Sequence, residues 1–364
     1  MADHELVAWL EGLSPWPSDG FGLERMRVLL ESLDSPESRL PAVHVVGTNG
    51  KSTTTRMVEA LLLAHGLRIG AYLSPHVLRW AERIRVDGAE ADLDSALRAV
   101  RPAAELLDAT QFEVLTAAAF VAFRSAGVEA AVVEAGLGGR HDATNVLDAT
   151  RVVVLTNVSL EHTEVLGTTR EAIAAEKLAV VQPGSAVVLG EAEWEPAARE
   201  AGAGTVVVAE GGAEELAVRA AQLFLGVEVE VERDALAGVA LPGRLERRAT
   251  ETRDGAHNLA GVRWLSGHLG RERFTVLASI LADKAVDGML EELSGLGERF
   301  VATRSSSPRA LPAAELASRA RSFFPLVEVR DDPVDALALA HALGEPVLVT
   351  GSLYLLADLE ARGA

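Results

Sequence analysis

A glycine-containing turn between an apolar strand and a helix constrains the fold of this chain more than any other feature. The turn has the sequence GTNGKST and covers residues 47–53. It follows an apolar run at 43–46 and opens a predicted helix from about Lys51 to His65, which Gly66 ends. A strand that enters such a turn directs backbone N–H groups and the positive end of a helix at one point, which favours phosphate binding.

The turn is a shortened form of the common P-loop. The usual pattern has a first glycine five residues before the second, and counting back from Gly50 that position is Val45. An ordinary βα turn is therefore the alternative. In the nucleotide-binding interpretation, Lys51 reaches the outer phosphates, and the hydroxyl of Ser52 or Thr53 faces a Mg²⁺ ion.

Length and composition predict two α/β domains. The chain has 364 residues, more than one average domain, and its 49% apolar residues supply buried cores. Short Val-rich runs alternate with helical patterns, which favours parallel sheets with crossover helices. The alternation restarts after a predicted hinge at 241–244, so we expect domains of residues 1–241 and 242–364. Strands of the first are predicted at 43–46, 68–73, 129–134, 151–156, 186–189, 205–208 and near 227–231.

Charge and composition exclude several classes of function. The formal net charge of −19 argues against a nucleic-acid partner, because no basic stripe offsets it. The absence of cysteine excludes disulfides, iron–sulfur ligation and thiol catalysis, and it fits a reducing compartment. The first residues lack a signal-peptide pattern, and no apolar run approaches the ~18 residues of a membrane span. We therefore expect a cytoplasmic protein with no membrane partner.

Two further predicted strands end at residues that suit a metal site. Glu134 ends strand 129–134 before GLGGRHDATN, and His162 follows strand 151–156 in SLEHTEVLG. Because α/β sheets bind ligands at the carboxyl ends of their strands, we expect Glu134 to bind Mg²⁺ and His162 to lie near it. Magnesium prefers oxygen, so a histidine ligand is unusual, and a capped acid and a structural histidine are the alternatives. Three polar residues of the glycine loop are interpreted as turn formers: Asp142, Thr144 and Asn145.

Lys177 lies in the predicted helix 169–181 among apolar residues. Its spacing alone predicts a surface lysine whose stem lies along the helix.

Nine motifs together carry a family resemblance. In chain order they are GTNGKST, YLSPHVLRWAERIRVDG, FEVLTAAAF, VVEAGLGGRHDATN, SLEHTEVLG, EKLAVV, LPGRLE, DGAHN and VTGSLYLL. This order resembles that of folylpolyglutamate synthases and dihydrofolate synthases, which belong to the Mur ligase superfamily. The resemblance covers roughly residues 20–360.

The resemblance implies a two-domain, Mur-ligase-like α/β fold. Residues 1–241 would form a P-loop ATPase-type parallel-sheet domain that binds ATP and folate, and residues 242–364 a smaller Rossmann-like glutamate ligase domain. The implied activity is the ATP-dependent joining of L-glutamate to dihydropteroate or a folate through an acyl phosphate. Two Mg²⁺ ions and a monovalent cation are the implied cofactors, ATP is a substrate, and the protein is expected to be a monomer.

The resemblance also assigns residues. The implied catalytic residues are Lys51, His162 and Lys177, the last as a carbamylated lysine. The implied metal ligands are Thr53, Glu134, His162 and the carbamylated Lys177. The implied ATP-binding residues are Gly47, Thr48, Asn49, Gly50, Lys51, Ser52, Thr53, Arg244, Asp254 and His257. The residues implied to lie near folate are Ser74, Pro75, His76, Arg83 and Phe112, with Trp80 as a further candidate.

The chain departs from the family pattern at three places. Ser52 stands where the family usually has glycine, Leu259 where it commonly has proline, and the segment 190–254 is short. A Mur-type ligase for another carboxylate, such as a cell-wall precursor, is therefore an alternative. A second alternative is a nucleotide-binding switch without ligase activity, although a switch does not need Glu134, His162 and Lys177 together.

Overall fold

The computed structural model describes residues 4–17, 20–229 and 233–364 of the chain. It divides into two compact units, residues 1–239 and 240–364, which we call the first and second units. The assignment of ATP and folate binding to the first, and of glutamate ligation to the second, stays a prediction.

The first unit contains an eight-stranded sheet. Its strands are β1 (Ala42–Val46), β2 (Ile69–Tyr72), β3 (Ile84–Val86), β4 (Ala89–Glu90), β5 (Ala130–Glu134), β6 (Thr150–Leu155), β7 (Ala186–Leu189) and β8 (Thr205–Val208). Their order in the sheet is β4-β3-β2-β5-β1-β6-β7-β8. The six strands from β2 to β8 in this order run parallel, whereas β3 and β4 form an antiparallel hairpin at the edge. The ends of β1, β5 and β6 therefore meet at one edge of the sheet.

Helices cover both faces of this sheet. They are α1 (His4–Gly12), α2 (Glu24–Glu31), α3 (Lys51–Ala64), α4 (Leu93–Leu107), α5 (Gln111–Ala126), α6 (Thr163–Leu166), α7 (Arg170–Leu178), α8 (Glu195–Glu200), α9 (Ala213–Leu225) and α10 (Arg233–Ala237). Val43 and Val45 pack in one core cluster with residues of α3 and α9, whereas Val46 packs with residues of α7 in another. Every residue of β1 is buried, so the strand is covered on both faces.

The second unit contains a six-stranded sheet. Its strands are β9 (Glu246–Arg247), β10 (Glu251–Arg253), β11 (Thr275–Ala278), β12 (Arg299–Ala302), β13 (Leu326–Val329) and β14 (Val347–Thr350). Its helices are α11 (Leu259–Leu269), α12 (Val286–Ser294), α13 (Ala313–Ala320), α14 (Pro333–Leu343) and α15 (Leu353–Ala361). The order is β13-β12-β11-β14-β10-β9, and all pairs are parallel except β9 with β10. The order β13-β12-β11-β14 corresponds to the 3-2-1-4 order of a doubly wound sheet.

The structure differs from the sequence prediction in some elements. The strand predicted near 227–231 is wrong for residues 227–229, which form no strand, and residues 230 and 231 lie outside the described residues. The hairpin of β3 and β4, the helices α1, α2 and α11, and the strands β9 and β10 were not predicted. No helix in the described part of the chain has the length and apolar character needed to cross a membrane.

Candidate active site

The turn after β1 requires glycine at two positions. Gly47 has a φ of +147°, and a Cβ atom there would lie 1.9 Å from Thr156 Oγ1. Gly50 has a φ of +82° and directly precedes α3. The first backbone hydrogen bond of α3 runs from Thr54 N–H to the Gly50 carbonyl. The N–H groups of residues 51–53 precede that bond, so the helix opens with donors suited to an anion.

The loop after β6 holds this turn by hydrogen bonds. Thr48 N–H donates to the Asn157 carbonyl at 2.9 Å, and Asn49 N–H donates to Asn157 Oδ1 at 3.0 Å. The Asn49 carbonyl accepts from Thr156 Oγ1 at 2.7 Å and from Asn157 Nδ2 at 2.9 Å. The backbone of Thr48 and Asn49 is therefore fixed by the neighbouring loop. Lys51 Nζ donates to the Thr48 carbonyl at 3.3 Å.

Glu134 joins the ends of three strands. It ends β5 and is buried. Its Oε1 accepts from the Ser52 hydroxyl at 3.0 Å, and its Oε2 accepts from the Ser74 N–H at 3.1 Å. Ser52 lies in the first turn of α3 and Ser74 follows β2, so the carboxylate connects the P-loop helix to the loop 74–79. Thr53, the predicted metal ligand, is partly exposed at the next position of α3.

Lys177 is buried, with 4% of its surface exposed, so the interpretation as a surface lysine is wrong. Its Nζ donates to the Gly47 carbonyl at 2.8 Å. Burial, and with it the charge of Lys51, lowers the pKa of the Lys177 amine to about 7. At neutral pH a large fraction of this amine is therefore uncharged.

The glycine loop after β5 packs against the backbone of α7 at Lys177. Arg140 N–H donates to the Glu176 carbonyl at 3.1 Å. A Cβ atom at Gly139 would lie 2.6 Å from the Lys177 carbonyl oxygen, so the loop packs directly on the last turn of α7. Glycine is needed at 139 because backbone approaches backbone there.

Asp142 organises the same loop, in agreement with its interpretation as a turn former. Its carboxylate accepts from the N–H groups of Leu137 at 2.7 Å and Thr144 at 3.0 Å, and from the Thr144 hydroxyl. His44 Nε2 lies 2.8 Å from Thr144 Oγ1. Because that hydroxyl donates its proton to Asp142, His44 Nε2–H is the donor to Thr144. Burial lowers the pKa of His44 to about 4, which keeps the ring neutral.

His162 lies on the loop after β6, one residue before α6. Its backbone is left-handed, with a φ of +52°, and its Nδ1 lies 3.7 Å from Glu164 Oε1. Within the part of the chain that the structure describes, no three His, Asp or Glu side chains cluster closely enough to hold a metal ion. A metal bound here would therefore depend on hydroxyl, water or nucleotide oxygens in addition to Glu134.

Three of the residues assigned to folate form one cluster after β2. Arg83 Nε donates to His76 Nδ1 at 2.9 Å, and the Arg83 guanidinium lies 4.8 Å from the centre of the Trp80 ring. The His76 and Trp80 rings are 4.2 Å apart. Burial and the Arg83 charge lower the pKa of His76 to about 3, so the ring is neutral and accepts at Nδ1.

Phe112 lies at the start of α5 against the glycine loop. A Cβ atom at Gly136 would lie 2.5 Å from Phe112 Cζ, and the Phe112 ring is 6.0 Å from that of Tyr72. The loop after Glu134 therefore borders an aromatic side chain on one side and Lys177 on the other.

The second unit brings together its three predicted nucleotide-binding residues around Gly255. Asp254 is buried and accepts from the N–H groups of Leu245 and Ala256, each at 2.8 Å. Burial raises the pKa of the Asp254 carboxyl. His257 Nδ1 donates to the Gly255 carbonyl at 2.9 Å, and a Cβ atom at Gly255 would lie 2.9 Å from Arg244 Nη1.

Two similarities decide the family. A model of the Mur ligase middle domain matches residues 45–232. The dihydrofolate synthase/folylpolyglutamate synthase of Mycobacterium tuberculosis is 33% identical over an alignment that covers 90% of this chain and 84% of that protein. The chain belongs to this family. Members of the family are ATP-dependent ligases, so the predicted family and enzyme class are confirmed.

Solved structures of the family confirm the predicted two-domain α/β fold class. Escherichia coli FolC in complex with DHPP and ADP is similar with a TM-score of 0.87 at 28% identity, over 99% of this chain and 98% of that one. The bifunctional folylpolyglutamate synthase/dihydrofolate synthase of Yersinia pestis, complexed with AMPPNP and a Mn ion, is also similar. Its TM-score is 0.85 at 29% sequence identity, over 99% of this chain and 98% of that one. The family therefore uses small-molecule substrates, a nucleotide and a divalent metal ion.

The sequence prediction missed a group of buried hydroxyls in this family member. They lie at the carboxyl ends of β11, β12 and β14, where the order of the second sheet reverses and where α/β folds bind ligands. Ser279 Oγ donates to Ser305 Oγ at 3.1 Å and accepts from Ser305 N–H at 2.9 Å. Thr350 Oγ1 is buried without a partner among the described residues, and Ser352 is buried beside it in sequence. Serine and threonine at strand ends are too common for the sequence alone to identify them.

Proposed function

We propose that the chain joins L-glutamate to the carboxylate of dihydropteroate, of a reduced folate, or of both. The observation that carries this proposal is the convergence at one sheet edge of the P-loop, the Ser52–Glu134 pair and the buried Lys177, which bonds Gly47. In the proposed reaction, a substrate carboxylate oxygen attacks the γ-phosphorus of ATP and ADP leaves. The glutamate amine then attacks the acyl carbon, an amide forms, and inorganic phosphate leaves.

The P-loop would bind the phosphates of ATP. Its contribution is the set of N–H groups at residues 51–53 together with the Lys51 ammonium, because each places positive charge where the γ-phosphoryl group carries negative charge. The bonds from Asn157 keep Thr48 and Asn49 in place, so these donors are arranged before the nucleotide arrives. By the family resemblance, Gly47 to Thr53 form the ATP site of the first unit.

The donor set beside the P-loop fits a magnesium ion. Glu134 supplies a buried carboxylate and Ser52 a hydroxyl 3.0 Å from it, and oxygen is the donor that magnesium prefers. A bound divalent ion would neutralise phosphate charge during transfer. We assign Glu134 and Ser52 as its holders, with Thr53 and His162 as the further ligands implied by the family. Two Mg²⁺ ions and a monovalent cation are the full cofactor set that we propose.

Lys177 would act as a carbamate. The uncharged amine attacks the carbon of CO₂, one N–H proton leaves to solvent, and an anionic carbamate remains. The carbamate nitrogen keeps one N–H, so its bond to the Gly47 carbonyl can persist. Because the pKa of the amine is about 7, the reactive uncharged form exists at neutral pH. The new carboxylate-like group would extend the anionic side of the metal site.

The residues after β2 and at the start of α5 would bind the pterin. Phe112 offers an aromatic surface next to Gly136, and the cluster of His76, Trp80 and Arg83 combines two rings with one cation. Ser74 connects this loop to Glu134 through its N–H, and Pro75 follows it. In the second unit, Arg244, Asp254 and His257 are proposed ATP contacts, and that unit is proposed to supply the glutamate site.

The experiment is phosphate release by the purified protein with ATP, Mg²⁺ and L-glutamate. Dihydropteroate is supplied in one reaction and tetrahydrofolate in another, and the product is identified by its mass. We expect acceptor-dependent phosphate release, one added glutamyl group per turnover, and neither with K51A. If the protein binds ATP but releases no phosphate with either acceptor, it would be a ligase for another carboxylate. Stabilisation by ATP and Mg²⁺ without any glutamate-dependent release would indicate a nucleotide switch.

A second assay addresses the carbamate directly. Under ¹³C-labelled CO₂, the wild-type protein is expected to give a carbamate carbon resonance that K177M lacks. We further propose that the protein is a cytoplasmic monomer without a nucleic-acid partner. Light scattering at 38.4 kDa would support the monomer, and a mass twice as large would contradict it.

A further inference from the structure

The base of the loop after β6 is held by two charged side chains outside the P-loop. Val158 is buried, and both of its backbone polar groups are bound. Its N–H donates to Glu191 Oε2 at 2.9 Å, and its carbonyl accepts from Arg170 Nε at 2.9 Å. Because the N–H and the carbonyl of Val158 are both hydrogen-bonded, the backbone conformation of the loop is fixed where it leaves β6.

The two charged side chains are themselves held in place. Arg170 Nη2 lies 3.2 Å from each carboxylate oxygen of Glu191 and 2.7 Å from Glu193 Oε1. Trp194 Nε1 donates to Glu191 Oε2 at 2.7 Å, and the Arg170 guanidinium lies 5.1 Å from the centre of the Trp194 ring. We call Glu191, Arg170 and Trp194 the Val158 clamp.

Close contact between β6 and β7 lets the clamp reach Val158. Gly190 N–H donates to the Leu155 carbonyl at 2.9 Å, one residue beyond the end of β7. A Cβ atom at Gly190 would lie 2.0 Å from the Thr156 carbonyl oxygen. The glycine therefore lets the two strand ends touch, and Glu191 follows directly.

The opposite side of the same loop holds the P-loop. Thr156 and Asn157 bond the backbone of Thr48 and Asn49, as described above, and Ser159 N–H donates to Thr48 Oγ1 at 3.0 Å. The loop of residues 156–159 thus lies between the clamp and the P-loop, and Val158 is the one residue of the four that the clamp binds.

We propose that Glu191 and Arg170 are positioning residues for nucleotide binding. They hold the loop 156–159, and through it the backbone of Thr48 and Asn49, in the arrangement that receives phosphate. The expected effect on nucleotide affinity rests on the proposed function. Amide exchange of the free protein tests the positioning role independently of that function.

E191A is the variant that removes the clamp, because it leaves the Val158 and Trp194 N–H groups without their acceptor. We expect the ADP dissociation constant to rise about tenfold, since a buried donor loses its partner in a loop that supports the site. Amide exchange in residues 47–53 and 156–162 should accelerate by a similar factor, while the strands β2 and β5 keep wild-type protection. E191Q keeps an oxygen acceptor and should recover most of both properties.

E195A is the matched control. Glu195 pairs with Arg199 at 2.7 Å on the exposed face of α8, so its loss should change neither ADP binding nor exchange. An ADP dissociation constant for E191A within twofold of wild type, with unchanged exchange at 47–53, would overturn the proposal. Accelerated exchange throughout the first unit would also overturn it, because the clamp would then only stabilise the fold. If the wild-type protein does not bind ADP, the proposed function fails and exchange alone decides the role of the clamp.

Discussion

Replacing Lys177 by methionine tests the burial of its amine. Methionine keeps an unbranched apolar stem and removes the titrating group. Burial and Lys51 lower the pKa of Lys177 from 10.5 to about 7 in the folded protein. Between these two values the unfolded chain binds a proton that the folded protein does not, so the free energy of unfolding rises with pH through this window. Below about pH 7 both states are protonated and the cost of burying the charge is constant.

The size of the effect follows from the width of the window. Between the two pKa values, the free energy of unfolding of the wild-type protein rises relative to that of K177M by about 1.4 kcal/mol for each pH unit. From pH 7.5 to pH 9 the wild-type protein should therefore gain about 2 kcal/mol relative to K177M. Every other titrating group is common to the two proteins, so its contribution cancels in the comparison.

Urea unfolding followed by tryptophan fluorescence measures this difference. Of the five tryptophans only Trp264 lies in the second unit, so a W264F background restricts the signal to the first unit. Buffers free of CO₂, metal and nucleotide keep the amine unmodified. Parallel pH profiles for wild type and K177M would refute the reasoning, because they would mean that the Lys177 amine titrates alike in both states.

Three further substitutions test the site. S52A removes the hydroxyl beside Glu134. It should therefore raise the Mg²⁺ concentration for half-maximal activity about tenfold and weaken Mn²⁺ binding in the presence of ADP by a similar factor. A larger effect of T53A would assign that role to Thr53. G139A should destabilise the first unit by about 1–3 kcal/mol in urea, because its Cβ meets the Lys177 carbonyl; an unchanged midpoint would contradict the close packing. F112A should raise the KM for dihydropteroate about tenfold and leave that for ATP unchanged, since stacking is lost only at the pterin; equal changes in both would argue against a pterin contact.

The strands were predictable wherever burial is two-sided. β1, β2 and β5 read as continuous apolar runs because helices cover both faces of a parallel sheet. The hairpin of β3 and β4 did carry a sequence signal, the pair Asp87-Gly88, which is typical of two-residue hairpin turns. Both residues have the positive φ that such a turn requires. The alternation at 227–229 does not correspond to a strand face, because Val229 packs in the core whereas Val227, two residues away, is exposed. Alternation alone does not supply a neighbouring strand.

The arrangement of the site was predictable only in part. Strand ends and glycines identified the P-loop and Glu134, because those features are local in sequence. Lys177 is buried between segments distant in sequence, since its amine bonds the Gly47 carbonyl and its backbone packs against Gly139. The Val158 clamp likewise joins Arg170 to Glu191 across 21 residues, and neither belongs to a motif. Contacts of this kind arise from the fold and leave no local pattern.

The use of lysine offers a signal for these positions that does not depend on the fold. The chain has three lysines against 31 arginines, so arginine supplies nearly all of its positive charge. Arginine cannot lose its proton in a protein, whereas lysine can, and its ammonium is a compact charge on a flexible stem. A chain that otherwise uses arginine would keep lysine where one of these properties is needed. Lys51 fits the compact charge and Lys177 the amine that loses its proton. The third, Lys284, lies in the loop after β11, has 11% of its side chain exposed and pairs with Asp283 at 3.8 Å.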